Sequence, residues 1–201
     1  MTDVLNRNLF LIKERAGLLN TAYECDVLDP ENGQLIMKCG EESLTRAVRF
    51  LRLFNLFKGT TPFDIRIETP DGRPVVRVVR GVPVFASRVK VYDHENNLIG
   101  GFRQKAFSFA GALDVLDAND EVVCQVAGKL AGWRRFYFVT PEGVELAVVS
   151  KKWAGLGREF FTSADDYMLQ IDEVVPRDST TRRLVLASVI CIGLIFKIEI
   201  P

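Results

Sequence analysis

The chain has 201 residues, 48% of them apolar, with 26 basic and 26 acidic side chains and no net charge at neutral pH. That length suits one domain, and the apolar share suffices for a sizeable core, so disorder is not the default reading. The charge balance excludes a general long-range attraction to nucleic acid or anionic membrane, so any such contact must come from a local patch.

In chain order, the opening MTDVLNRNLFLIKERAG carries an early acid, Asp3, and too short an apolar run for a secretory signal. Leu9–Ile12, Tyr23–Leu28 and Gln34–Cys39 read as strands, the last two joined by the turn Asp29–Gly33. Similar turns begin at Thr69, Asp93, Asp117 and Thr140, evenly spaced to within a residue, and each lies between two apolar segments. Asp, Asn and Gly gather in them because they tolerate the positive φ of tight turns. Within the segments apolar and polar residues alternate: Phe63, Ile65 and Ile67 share one face, Asp64, Arg66 and Glu68 the other. The spacing predicts a meander of about 12 strands, whose edges are removed by closure into a barrel. The pair Gly100-Gly101 is expected to mark a bulge or kink in one of these strands.

Two stretches depart from the meander. Glu41–Lys58 has no Gly or Pro, repeats Arg46, Arg49 and Arg52 every third residue, and carries acids at its start and Lys58 at its end. It reads as a helix or long hairpin on the barrel end, as a basic segment lying on a membrane, or as a partner-binding element. The tail is different again. Leu184–Phe196 carries no charge and is apolar on every side of a helical wheel, which requires burial. Spanning a bilayer takes about 20 apolar residues, so this shorter run is expected to be a core helix over about 182–197. A membrane anchor and a buried strand are the alternatives. A barrel of that size is too wide for its own side chains to fill, and an all-apolar helix would plug it.

Conventional catalytic chemistry has few residues to draw on. His94 is the single histidine and sits in a turn beside Asp93 and Glu95, with no serine elbow to accompany it, so it reads as solvated. The four cysteines, Cys25, Cys39, Cys124 and Cys191, form no CxxC pair and fit reduced, buried thiols of a cytosolic protein. No phosphate-cradling glycine motif is present. Asp165, Asp166, Asp172 and Glu173 supply hard oxygens, but Tyr167, Leu169 and Gln170 stand where an EF-hand loop needs oxygens and glycine. That stretch is an acidic turn with a following strand, or a weak cation site. Lys151, Lys152 and Trp153, with Arg158 after a glycine-containing loop, would suit lipid headgroups or simple packing over a barrel rim.

The second half of the chain resembles the phospholipid scramblases. Gly100 and Gln104 match the spacing of a GxxxQ strand; Lys151-Lys-Trp-Ala-Gly155, Glu159-Phe-Phe-Thr162 and Ala164-Asp-Asp-Tyr167 follow the K-x-W-x-G, E-x-F-T and A-D-x-[FY] signatures in order. Scramblases and the LURP-one-related proteins are similar to the tubby C-terminal domain, so the resemblance implies a single mainly β domain over 1–201: a closed antiparallel barrel around a hydrophobic C-terminal helix. It also implies calcium-stimulated, energy-independent movement of phospholipids between leaflets, with calcium as the candidate cofactor at Asp165, Asp166, Asp172 and Glu173. The Pro-rich arm and palmitoylated cysteine run of animal scramblases are not in this sequence, so the expected protein is cytoplasmic and peripheral at a phospholipid membrane. The expected lipid contacts are Arg46, Arg49, Arg52, Lys151, Lys152, Trp153 and Arg158, with no covalent catalysis and no nucleic-acid partner. The alternative is a soluble tubby-like module for a protein or small-ligand partner.

Overall fold

A computed structural model describes residues 3–15, 22–41, 61–81, 88–104, 113–127, 135–151 and 166–195. A short 3-10 turn at Asp3–Asn6 precedes β1 (Leu9–Glu14), β2 (Glu24–Leu28), β3 (Leu35–Glu41), β4 (Phe63–Glu68), β5 (Pro74–Arg80) and β6 (Arg88–Tyr92). Then come β7 (Leu98–Gln104), β8 (Leu113–Asp117), β9 (Val122–Ala127), β10 (Arg135–Val139), β11 (Glu145–Ser150), β12 (Asp166–Ile171) and the helix α1 (Thr180–Ile195). Each strand pairs antiparallel with its sequence neighbours, and β1 pairs with β12 from Leu9↔Gln170 to Lys13↔Asp166, closing the barrel. Closure leaves no strand edge exposed.

One end of the barrel is made of tight turns. Each hairpin β2–β3, β4–β5, β6–β7, β8–β9 and β10–β11 has a register shift in its last paired residues, and the matching left-handed residues are Gly33, Gly72, Asn96, Asp120 and Gly143. This is the geometry of a short loop ending in a bulge with one residue at positive φ. The first turn residue caps the loop. Asp93 Oδ1 accepts from the backbone N–H of Glu95 (2.9 Å) and Asn97 (2.8 Å), and Asp117 Oδ1 does the same for Asn119 and Glu121 (2.8 and 2.9 Å). His94 is exposed in one of these turns.

The alternating pattern places Phe63, Ile65 and Ile67 in the core, with their polar neighbours at least partly exposed. Inside the barrel lies α1, every residue from Leu184 to Ile192 being buried. The tail is therefore a helix threaded through a barrel. No described helix is long and apolar enough to cross a membrane. Ser179 caps α1 by accepting the Arg182 N–H at 3.2 Å, so the helix begins at Thr180, two residues before the expected start. The helix comes close to β7 because Gly100 is there. A Cβ on Gly100 would lie 2.1 Å from the Leu116 carbonyl oxygen and 3.1 Å from Leu184 Cδ2, and its φ is +149°. The bulge expected at this pair is found on the same strand: Gly100 pairs with Val91 and Leu98 with Tyr92, so the extra residue is Ile99, next to Gly100.

At the turn end Arg182 closes the barrel and is 1% exposed. Its guanidinium donates to the carbonyls of Leu5 (3.3 Å), Arg7 (2.5 Å) and Val175 (2.9 Å) and to Asn8 Oδ1 (3.0 Å). The four cysteines are free and buried, as their apolar settings imply.

Candidate functional site

The two barrel ends differ in kind. All the tight turns and the N-terminus of α1 lie at one end; at the other, the strands end in connections of different lengths. There the chain leaves β3 after Glu41 and re-enters β4 at Phe63, and leaves β11 after Ser150 and re-enters β12 at Asp166. Arg46, Arg49 and Arg52 belong to the first of these connections; Lys152, Trp153, Arg158 and Asp165 belong to the second. These seven lie outside the described residues. Lys151 is described: it stands at this rim, half-buried, with Nζ 5.4 Å from the centre of the Tyr167 ring. That places a cation on an aromatic face whose ring is buried in the wall.

The acidic candidates do not form one site. Asp166 begins β12 at this rim, whereas Asp172 and Glu173 follow its last residue, Ile171, at the turn end. At ~3.3 Å per residue the strand separates them by on the order of 20 Å. Asp166 is 2% exposed, and its carboxylate is 3.9 Å from Lys13 Nζ. Asp172 Oδ1 accepts the Val174 N–H at 2.9 Å in a turn of its own. A cation neighbour at one end and a backbone-capping role at the other do not fit a shared calcium cage, and the described residues hold no cluster of three or more metal-ligating side chains.

Beneath the rim the interior is polar, which the sequence pattern did not announce. Tyr23 donates from its hydroxyl to the Ile190 carbonyl of α1 at 2.7 Å and to Glu14 Oε1 at 3.1 Å. Its backbone N–H donates to Glu41 Oε2 at 3.1 Å. Across the barrel Arg80, buried, donates to the Thr61 carbonyl at 3.1 and 2.6 Å and lies 4.6 Å over the Phe63 ring. Burial first, then the neighbouring Cys25 and Glu14, push the Tyr23 phenol well up, so it is held protonated as a donor. Strand alternation could have put Glu14, Tyr23, Glu41 and Arg80 on the inward phase. Nothing in the sequence says that Tyr23 meets α1.

On the outer wall below the same rim, Arg15, Glu24, Asp26, Lys38, Gly40, Arg66 and Glu68 surround a groove of about 370 Å³. Gly40 leaves the room: a Cβ there would meet nothing within 4 Å. Arg15 forks onto Asp26 at 2.8 Å through two nitrogens. The described part of the rim therefore presents cations, an aromatic face and a mixed-charge groove.

A family model described as Scramblase matches residues 20–196. No solved structure matches the chain.

Proposed function

Because the chain belongs to the scramblase family, we propose that it works at a phospholipid surface, binding headgroups at the rim of long connections and easing their passage between leaflets. The observation that carries the reading is topological. The basic connections containing Arg46, Arg49 and Arg52, and Lys152, Trp153 and Arg158, start and finish at the same rim as Lys151. Basic side chains near an anionic surface contribute ~1 kcal/mol each, and an indole favours the interface. No chemical bond is made or broken in such a role. The barrel supplies a rigid frame; the rim supplies charge.

Flotation of the purified protein with vesicles tests this, using anionic or neutral lipid, with calcium or a chelator. Co-flotation with anionic vesicles, weakened by salt, is the expected result. Reversing Lys151 and Lys152 together (Lys151→Glu, Lys152→Glu) is expected to cut partitioning by on the order of a hundredfold. Calcium dependence would assign a role to Asp165 and Asp166 at this rim without Asp172 and Glu173. No flotation under any condition would overturn the reading in favour of a module for a protein or small-ligand partner.

A further inference from the structure

The outer-wall groove is built from two ranks of the strand ladder. Glu24 on β2, Gly40 on β3 and Arg66 on β4 are register partners in one rank; Asp26, Lys38 and Glu68 form the next. Cys25, Cys39 and Ile67, which lie between the ranks, are buried, so both ranks face outward. Opposite charges side by side on a sheet ordinarily pair. Here the pairing is incomplete. Arg15 takes Asp26 through two nitrogens at 2.8 Å, and Lys38, exposed between Asp26 and Glu68, makes an ion pair with neither. Glu24 faces Gly40, which has no side chain to offer, and Arg66 stands across the gap. A Cβ on Gly40 would meet nothing within 4 Å, so the gap is open down to the backbone. With strands ~4.8 Å apart, the Cα atoms of Glu24 and Arg66 are separated by on the order of 10 Å. The volume of about 370 Å³ lies within the roughly 300–1,000 Å³ of small-molecule sites.

The balance of charge selects the ligand. Arg15, Lys38 and Arg66 offset Glu24, Asp26 and Glu68, while Glu41 turns its carboxylate to the Tyr23 N–H. A lone anion in the groove meets carboxylates, and a lone cation meets cations. A molecule with both charges satisfies both sides when it lies across β3, its cation toward Glu24 and its anion toward Lys38 and Arg66. Two cations on neighbouring strands reach separate oxygens of a phosphate, and an arginine fork matches its geometry. Among the described residues no aromatic ring lines the groove. Quaternary ammonium groups are held by aromatic cages, whereas a primary ammonium donates hydrogen bonds to carboxylates.

We propose that this groove binds a zwitterion joining a primary ammonium to a phosphate, of the phosphoethanolamine type, with Glu24 taking the ammonium and Lys38 and Arg66 the phosphate across Gly40. The same group occurs free in solution and as the head of an amine-bearing phospholipid. The site is on the barrel wall and uses none of the long connections, so it stands independently of the rim reading above.

The test titrates the full chain with free phosphoethanolamine, phosphocholine, inorganic phosphate or ethanolamine, followed by calorimetry and amide chemical shifts. Saturable binding of phosphoethanolamine is expected, about tenfold tighter than any of the other three, with shifts centred on Glu24, Gly40 and Arg66. Gly40→Val fills the gap on a strand that accepts a β-branched side chain. It is expected to keep the thermal midpoint and abolish binding. Glu24→Gln is expected to weaken phosphoethanolamine about tenfold, to the level of inorganic phosphate. Equal binding of inorganic phosphate by the unaltered chain, binding that survives Gly40→Val, or no binding of phosphoethanolamine would each overturn the proposal. Vesicles separate the two sources. If vesicles containing phosphatidylethanolamine displace the free probe, the ligand is a lipid head; if they leave it bound, the ligand is soluble. Failure to float with any vesicle while the free probe still binds would overturn the rim reading alone.

Discussion

Gly100 serves two functions: its backbone takes a conformation that side chains avoid, and its missing Cβ admits both Leu116 and the helix residue Leu184. Gly100→Ala is therefore expected to cost about 3 kcal/mol or more, read as a lowered denaturation midpoint; an unchanged midpoint would remove the close approach as a determinant of helix position. Tyr23→Phe strips one donor from the Ile190 carbonyl and Glu14. The Ile190 carbonyl stays within the helix ladder, so the loss is that of one hydrogen bond, about 0.5–1.5 kcal/mol, and hydrogen exchange should show it at the second half of α1. Burial raises the Tyr23 phenol and the Cys191 thiol well above their ordinary values, and raises Cys124 to about 12. A raised value in the folded state means that the native chain holds protons which the unfolded chain releases. Stability is then complete below the ordinary thiol and phenol values and declines as pH climbs from about 9 toward the folded values. Urea midpoints measured across that range should fall steadily; a flat profile would contradict the burial of these groups. Such residues were only half legible. The sequence marked Gly100-Gly101 as a bulge, but it could not say that a helix would lean on it, because that contact joins residues far apart in the chain.

Among the elements, the strands were the easiest to read. Their alternation and the turn residues between them are local properties, and the left-handed Gly33, Gly72, Asn96, Asp120 and Gly143 are the residue types those positions demand. The helix was legible from its uniform apolarity, although it starts two residues earlier, after a cap at Ser179, where a serine followed by two threonines gives little contrast. Arg182 was not legible at all. A buried arginine at the positive end of a helix defies the dipole, and here its two terminal nitrogens are held by carbonyls of Leu5, Arg7 and Val175 from segments that the sequence leaves unconnected. Arg182→Met keeps the volume and orphans those carbonyls. It is expected to destabilise by about 2–4 kcal/mol and to speed amide exchange in β1 before the rest of the wall. Uniform exchange would show that Arg182 holds the barrel as a whole and not its N-terminal segment.

For the whole molecule, the barrel sorts its connections: short, capped and rigid at one end, long and basic at the other. The even turn spacing carried the first half of that statement. The second half is written only in where the strands begin and stop, so the candidate contacts could be named from composition while the rim at which their connections start and finish could not. The acidic set shows the opposite failure, since neighbours in sequence on either side of one strand end up at opposite ends.

Closure of β1 against β12 has a consequence in time. The first strand cannot find its closing partner, β12, until nearly the whole chain exists, and the helix that fills the interior follows all twelve strands. During synthesis on a ribosome the wall would emerge as an open, apolar-faced sheet without a filling, exposed to chaperones and to aggregation. Nascent chains arrested before Thr180 should accordingly remain protease-sensitive, and become resistant only when α1 has cleared the exit tunnel.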